Sequence, residues 1–181
     1  MKPTAFAPIA PSRRPAGPAR MRGFTLTELI MVIVLMGILA AVAAPKIFST
    51  SDFYARGFHD ENLAYLRYAQ KTAIAQRRTV CVTFDTGAST MTLAVASAAA
   101  TTSCASAGTL SGPKGETPVT LTARSGVTYS TALPPTSFNF DALGQPIVAA
   151  GTGAAQATQT FQIQGTGNTI TVEAATGYVH E

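Results

Sequence analysis

The sequence predicts an α+β fold in which a long N-terminal transmembrane and stalk helix packs on a C-terminal antiparallel β-sheet domain. One observation is a run of 21 residues, 24–44, in which Glu28 is the single charged side chain. Another is the change after Arg78 from a helical repeat of about 3.6 residues to the two-residue alternation of strands. Charged residues make up 12% of the chain and tryptophan is absent, a composition that favours a secreted-type β-rich domain over a cytosolic enzyme.

The first segment, 1–23, is predicted to be a leader on the cytoplasmic side. It is rich in proline and carries five cations and no acid, which predicts disorder and a cytoplasmic N-terminus. The segment 24–45 would then cross the membrane once, because its apolar run of 21 residues extends roughly 31 Å as a helix. The formal net charge of +4 comes from the leader, so it does not indicate nucleic-acid binding.

Three interpretations of N-terminal processing are open from the residues alone. A secretory signal would be cut at the small-residue pattern 41–43, although Glu28 interrupts its apolar stretch. A twin-arginine signal would use the pair at 13–14, although proline and glycine follow where apolar residues are expected. Cleavage on the cytoplasmic side, between Gly23 and Phe24, would leave the apolar helix on the mature protein.

Segment 22–30 reads Arg-Gly-Phe-Thr-Leu-Thr-Glu-Leu-Ile and resembles the signal of type IV prepilins. In that family, prepilin peptidase cuts after the glycine and N-methylates the phenylalanine. The resemblance implies cleavage after Gly23 and methylation of Phe24. It also implies an inner-membrane location before assembly, with other pilin or pseudopilin subunits and an inner-membrane assembly platform as partners. A leader of 23 residues is long for the family, so Met1 and Met21 are both candidate starts.

Glu28 is expected to act in subunit assembly. A carboxylate costs about 2.5–3.5 kcal/mol at the centre of a membrane unless it is paired. The resemblance supplies a partner, because cleavage creates a cationic amine at Phe24. In a filament of staggered subunits, Glu28 of one subunit would meet the amine of its neighbour. Two alternatives are open: Glu28 reaches the membrane surface, or it pairs with the amine of its own chain.

Residues 24 to about 77 are predicted to form one helix of roughly 80 Å. Pro45 lacks a backbone donor and crowds the preceding turn, so a kink or break is expected near 41–45. The stalk, 46–78, shows an apolar stripe that should dock on the following domain. The stripe consists of Phe58, Tyr65, Leu66, Ala69 and Ala73.

Two further features of the stalk receive simple interpretations. His59 is predicted to be an exposed helix residue and not a ligand. Arg77 and Arg78 are expected to place positive charge at the helix C-terminus, where cations interact favourably with the helix dipole.

Segment 79–181 is predicted to be a β-rich domain outside the cytoplasm. Residues 79–84 and 89–95 alternate around a turn at 85–87 and should form a hairpin. Further strands are expected at 119–123, 127–130, 137–140, 145–148, 159–164, 168–173 and 177–180. The expected loops are the small, polar stretches 96–118 and 149–158.

Cys81 and Cys104 are the two cysteines of the chain, and both lie in the segment placed outside the cytoplasm. A disulfide between them is expected, and it would tie the first strand to the loop 96–118. Such a bond would contribute about 3 kcal/mol in the chain-entropy account of disulfides. The alternative is two separately buried thiols.

A second resemblance lies near the C-terminus. Segment 138–146 looks like the F-x-x-x-G-x-P turn of minor pseudopilins of the GspH/FimT type and of the minor pilin of mannose-sensitive haemagglutinin (MSHA) pili, MshC. Gly144 should take a positive φ there, and Pro146 should begin a strand that does not need its N–H. Phe138 and Phe140 should face the same side and pack on the helix stripe. The closing segment 170–179 is similar to the last hairpin of the same group.

The sequence predicts no enzymatic activity, no cofactor and no metal site. The acids after the apolar run are sparse and scattered, and no cluster of histidine, cysteine and acidic residues, including those near His59 and His180, has the spacing of a metal site. The expected function is a minor subunit of an MSHA-like pilus or of a type II secretion pseudopilus. The alternative is a secreted or single-span β-domain that binds a ligand without polymerising.

Overall fold

The computed structural model describes residues 23–47, 50–105 and 107–181. The chain divides into two compact units, Met1–Lys46 and Ile47–Glu181. The first contains the apolar helix, and the second contains the α+β domain. The predictions for the leader up to residue 22, with its arginine pair and the start at Met21, lie outside the described residues.

Helix α1 spans Leu26–Ile47. It continues through Pro45, so the break expected near 41–45 is absent, and a kink at this proline stays a prediction. The missing donor of Pro45 falls in the last turn, where little helix remains to be disrupted. Residues 48–49 lie outside the described part of the chain, so the single predicted helix is untested there. Among the described residues, no helix combines the length and the apolar character needed to cross a membrane.

Helix α2 spans Thr50–Gln76 and packs its stripe into the domain. All five predicted stripe residues are buried, with exposures between 0% and 4%. The helix ends in a Schellman arrangement: the N–H of Arg78 donates to the carbonyl of Ala73 over 3.2 Å, and that of Arg77 to Ile74 over 3.4 Å. Arg77 has a φ of 51°, so the chain leaves the helix through a left-handed residue.

Nine short strands form two antiparallel sheets in the described residues. The larger sheet consists of β1 Val80–Asp85, β2 Thr90–Ala96, β3 Ala107–Gly108, β4 Val119–Thr122, β5 Phe138–Phe140 and β6 Pro146–Val148. Its strand order is β3-β2-β1-β5-β6, and β4 also pairs with β2. The smaller sheet consists of β7 Gln159–Gln162, β8 Thr169–Val172 and β9 Val179–His180, in that order. The predicted α+β class is confirmed by this arrangement.

Strand prediction succeeds where apolar and polar residues alternate. The first hairpin pairs Val80 with Val95 and Asp85 with Thr90, as its alternation predicted. The prediction of a strand at 127–130 is wrong, because Tyr129 makes only an isolated bridge to Ile163. Strand β3 falls in the loop expected at 96–118; a two-residue strand is too short to produce an alternating pattern.

One hydrophobic core lies between α2 and the two sheets. Its largest fully buried side chains include Phe138 and Phe140 of β5 and Phe161 of β7. The rings of Phe138 and Phe140 lie 5.0 Å apart and belong to the same buried cluster as the α2 stripe, as predicted. Because both sheets contribute to this one core, α2 and the whole β-domain are a single packing unit.

Candidate assembly segment and polar clusters

The residues around the predicted cleavage point precede α1 and are not helical. Gly23, Phe24 and Thr25 have no regular secondary structure, and the Phe24 side chain is 78% exposed. The Gly23–Phe24 peptide bond therefore lies outside the helix, in the kind of backbone that a peptidase can bind. Whether it is cut stays a prediction.

Thr25 caps α1, and Glu28 lies in its first turn. The Thr25 Oγ1 atom accepts a hydrogen bond from the N–H of Glu28 over 3.3 Å, and the Thr25 carbonyl accepts from Leu29 over 3.1 Å. A Thr-x-x-Glu spacing before an apolar run is the signature of a capping box, and an acid in the first turn is favoured by the helix dipole. Sequence reasoning missed this cap, although the spacing was there to be read.

The apolar side chains of α1 are exposed along the helix from residue 26 to residue 42. Leu26, Met31 and Leu39, for example, are 74%, 67% and 68% exposed. Apolar surface of this extent is unfavourable in water at about 25 cal/mol per Å², so the segment requires lipid or protein around it.

Cys81 and Cys104 form a disulfide, with sulfur atoms 2.05 Å apart. Cys81 lies on β1, and Cys104 lies in the loop between β2 and β3. The same loop is tied to the domain by side chains as well: Asn139 donates to the carbonyl of Thr102 over 3.0 Å, and Thr79 donates to the carbonyl of Thr101.

Gln70 of α2 holds two turns of the β-domain together. Its Nε2 atom donates to the carbonyls of Gly144 (3.3 Å) and Thr176 (2.9 Å). Gly144 has a φ of +80° and Pro146 begins β6, as the resemblance to the F-x-x-x-G-x-P turn implied. The Asp141 carboxylate closes this turn by accepting backbone hydrogen bonds from residues 143 and 145.

A groove of ≈ 710 Å³ lies between the first half of α2 and the region around β4. The Tyr65 hydroxyl crosses toward the loop before β4 and donates to Oε1 of Glu116 over 2.5 Å. This hydrogen bond lowers the pKa of Glu116, and burial together with the same carboxylate raises the pKa of Tyr65. Lys114 of the loop pairs with Glu61 over 2.7 Å, and Arg124 lies over the ring of Tyr54 at 5.0 Å.

The prediction that His59 is exposed is wrong, because its side chain is only 3% exposed. The buried face of α2 is wider than its apolar stripe and includes polar residues. Asn62 is fully buried there, donating to the carbonyl of Phe58 and accepting from the Tyr129 hydroxyl over 3.0 Å. A periodic pattern of apolar residues cannot reveal buried polar residues, since their burial depends on partners from other elements.

The second histidine lies on the surface of the smaller sheet. The Nε2 atom of His180 lies 3.0 Å from Oε1 of Glu173, and its Nδ1 atom lies 2.7 Å from the carbonyl of Glu181. These hydrogen bonds raise the pKa of His180 above its ordinary value, chiefly through the Glu173 carboxylate.

Comparison with known proteins identifies the N-terminal segment. Residues 18–44 match the prokaryotic N-terminal methylation motif. A stretch of 59 residues is 39% identical to the type IV narrow pilus major component PilA5 of Thermus thermophilus, covering 33% of this chain and 51% of that protein. The chain thus spans about half the length of this curated relative.

One solved structure is also similar. The type IV minor pilin FimU of Pseudomonas aeruginosa aligns with 70% of this chain and 86% of its own, with a TM-score of 0.46 and 17% sequence identity. The methylation motif includes segment 22–30 and confirms the resemblance to a type IV prepilin signal seen there, and the PilA5 match is likewise to a type IV pilus component.

Proposed function

We propose that the chain is a structural subunit, a minor pilin or pseudopilin, of an MSHA-like type IV pilus or of a type II secretion pseudopilus. The observation that carries the proposal is the methylation motif at 18–44, which coincides with the exposed apolar helix α1. A subunit of this kind needs no catalytic site. The core between α2 and the sheets supports a rigid domain that a filament could display.

The proposed path begins in the inner membrane. The cations of the leader support a cytoplasmic N-terminus and a periplasmic β-domain, with the apolar segment 24–45 crossing the membrane once. Prepilin peptidase would then cut between Gly23 and Phe24 and methylate Phe24. An inner-membrane assembly platform would add the mature subunit to the filament, where other pilin or pseudopilin subunits surround α1.

In the filament, the Glu28 carboxylate would pair with the Phe24 amine of a neighbouring subunit. Glu28 is exposed in the first turn of α1, one helical turn beyond the new N-terminus, so an adjacent chain can approach it. The pair would form among apolar side chains, where opposite charges attract more strongly than in water. An unpaired charge in the same surroundings is costly, so pairing would favour one register of the subunits.

The variant Glu28→Gln tests this pairing without removing the helix cap, because glutamine also completes a capping box. We expect cleavage and methylation to continue but incorporation into sheared filaments to fall about tenfold or more, as for the loss of a buried charge pair. Asp52→Asn is the control, since it removes an exposed first-turn acid from α2 instead. Normal incorporation of Glu28→Gln would contradict the pairing.

The alternative is a single-span or secreted domain that binds a ligand and does not polymerise. The groove of ≈ 710 Å³ favours it, because the groove offers aromatic side chains beside charged ones. Mass spectrometry of the mature N-terminus separates the two functions. N-methylphenylalanine at position 24 supports the filament subunit, whereas a chain that begins at Ala44 supports the secreted domain.

A further inference from the structure

Two adjacent side chains in the first half of α2 meet a third side chain from the far C-terminal part of the sequence. The Nδ1 atom of His59 lies 3.3 Å from Oδ1 of Asp60 and 3.6 Å from Oε1 of Glu181, which follows β9. All three ligand atoms lie within 4.8 Å of one another. We propose that His59, Asp60 and Glu181 bind a divalent transition-metal ion, with zinc as the best fit. The site is independent of the proposed function.

The imidazole is the buried member of this cluster. The His59 side chain is 3% exposed, whereas those of Asp60 and Glu181 are 75% and 50% exposed. Its Nε2 atom is buried and has no hydrogen-bond partner among the described residues. The ring therefore makes its polar contacts through Nδ1, which is directed at the two carboxylates. A buried imidazole nitrogen beside two solvent-accessible carboxylates leaves a side from which a metal ion can enter.

The distances match those of a metal site. Ligand atoms that lie about 2.0–2.2 Å from a tetrahedral zinc ion are roughly 3.3–3.6 Å from one another. The two distances from His59 Nδ1, 3.3 Å and 3.6 Å, fall in this range, and the two carboxylate oxygens lie within 4.8 Å of each other. An imidazole nitrogen with two carboxylate oxygens is also a donor set that zinc accepts.

The surroundings complete the site. A pocket of ≈ 360 Å³ adjoins the cluster and is lined by residues 166–168 together with Arg56. Asn168 donates from Nδ2 to Oε2 of Glu181 over 3.5 Å and so helps to orient that carboxylate. The pocket leaves room for water at the remaining coordination position. Arg56 lines the pocket, and the two carboxylates together with this one cation carry a net charge of −1, which attracts a metal ion.

Metal binding would connect the end of the chain to α2. Glu181 follows the two-residue strand β9, which is joined to the helix by a hydrogen bond from Arg67 to the carbonyl of Val179 over 3.0 Å. A metal ion held by His59, Asp60 and Glu181 would add a second connection between them. We therefore expect the ion to stabilise the folded domain by mass action, since the unfolded chain does not hold the three ligands together.

The first test is zinc titration of the full-length protein in detergent, after metal has been removed with a chelator, followed by calorimetry. We expect one zinc ion per chain and a rise of the melting temperature with zinc. Glu181→Gln should weaken binding about tenfold or more and abolish the rise. Glu173→Gln is the matched control, because it removes the carboxylate of the exposed His180–Glu173 pair. Absence of stoichiometric binding, or an unchanged affinity in Glu181→Gln, would overturn the site.

A second measurement guards against variants that fail to fold. Asp60→Asn changes an exposed side chain, so it should leave the metal-free melting temperature unchanged while weakening zinc binding. Cobalt(II) substitution then reports the ligands directly. We expect the intense visible absorption of a four-coordinate ion in the unaltered protein and its loss in His59→Gln. A spectrum like that of cobalt in water at saturation would contradict the proposal.

Discussion

Gly177 lies where the turn at 173–177 approaches the turn at 141–144. Its φ is +64°, and a Cβ atom at this position would stand 1.9 Å from the carbonyl oxygen of Gly144 and 3.0 Å from Nε2 of Gln70. Those two atoms are hydrogen-bonded to each other, so neither atom can move away from an added Cβ without breaking the bond that attaches the turn to α2. The close approach, and not the turn alone, requires glycine at residue 177.

Gly177→Ala should therefore destabilise the domain by about 3 kcal/mol or more, since it adds a backbone clash to a strained φ. Gly126→Ala is the control, because Gly126 has a similar φ of +85° but open space around its Cβ position. The control should cost about 1–2 kcal/mol, the penalty of a left-handed alanine. Denaturant unfolding of both variants measures their free energies of unfolding. Equal losses of this free energy would show that the structure relieves the clash at residue 177.

The Tyr65–Glu116 hydrogen bond predicts that the stability of the domain depends on pH. Because the pKa of Glu116 is lowered below 4.5 in the folded state, its contribution to stability is complete above pH 4.5. It is lost as the pH falls through the lower, folded value, because protonation then favours the unfolded chain. Tyr65→Phe should reduce this acid-induced loss of stability.

Tyr68→Phe provides the control for that pH dependence. The Tyr68 hydroxyl donates to the carbonyl of Ser111 in the same loop, and this acceptor does not titrate. Both variants lose a tyrosine hydroxyl, but only Tyr65→Phe should change the slope of unfolding free energy against pH below 4.5. Identical slopes for the two variants would contradict the assignment to Glu116.

At the level of the elements, the end of α2 shows how a helix can stop at an unfavourable residue. The sequence suggested that Arg77 and Arg78 serve the helix dipole. The structure places Arg77 in the left-handed conformation that closes the Schellman arrangement, a position where glycine is usual. Arg78 follows it, and its N–H rather than its charge makes the contact to the helix.

Arg77→Gly should stabilise the domain by about 1 kcal/mol, because glycine removes the cost of a left-handed side-chain residue. Arg77→Ala is the control: it removes the same charge but keeps the strained φ of 51°. Thermal unfolding should show a higher melting temperature for the glycine variant alone. A gain in both variants would mean that the arginine charge, and not the backbone, is unfavourable.

At the scale of the whole molecule, the disulfide joins the central strand β1 to the loop after β2, across a sequence separation of 23 residues. The double variant Cys81→Ala with Cys104→Ala should lower the free energy of unfolding by about 3 kcal/mol, because the unfolded chain gains freedom. Reduction of the unaltered protein with a thiol should give the same loss. Unchanged stability on reduction would show that the loop is held by its hydrogen bonds to Thr101 and Thr102 instead.

The two units of the chain differ in how far their apolar side chains are exposed. The domain Ile47–Glu181 buries its apolar side chains in its own core, whereas the described side chains of α1 are exposed. In the proposed function, lipid would cover the side chains of α1 before assembly, and neighbouring helices would cover them afterwards.

The sequence by itself determined the features that depend on neighbours along the chain. The stripe of α2 and the first hairpin are local periodic patterns, so the spacing of apolar residues was sufficient to predict them. The methylation segment and the Gly144 turn are also local, but they were predicted from their resemblance to known prepilin and pseudopilin segments. The cysteine pair was predictable for a different reason, because two cysteines allow one intramolecular disulfide. The cap that Thr25 provides for the N–H of Glu28 is equally local, because it depends on a spacing of three residues.

The tertiary structure alone decided which polar groups meet. His59 is buried because residues from α2 and from the end of the chain surround it, and no period along α2 carries that information. Likewise, the space around Gly177 depends on a turn 33 residues earlier. Residues 127–130 do not form the predicted strand because Tyr129 makes only an isolated bridge to Ile163, and strand pairing depends on distant segments. Contacts between distant segments are set by the packing of the whole core, so they appear only when the core is formed.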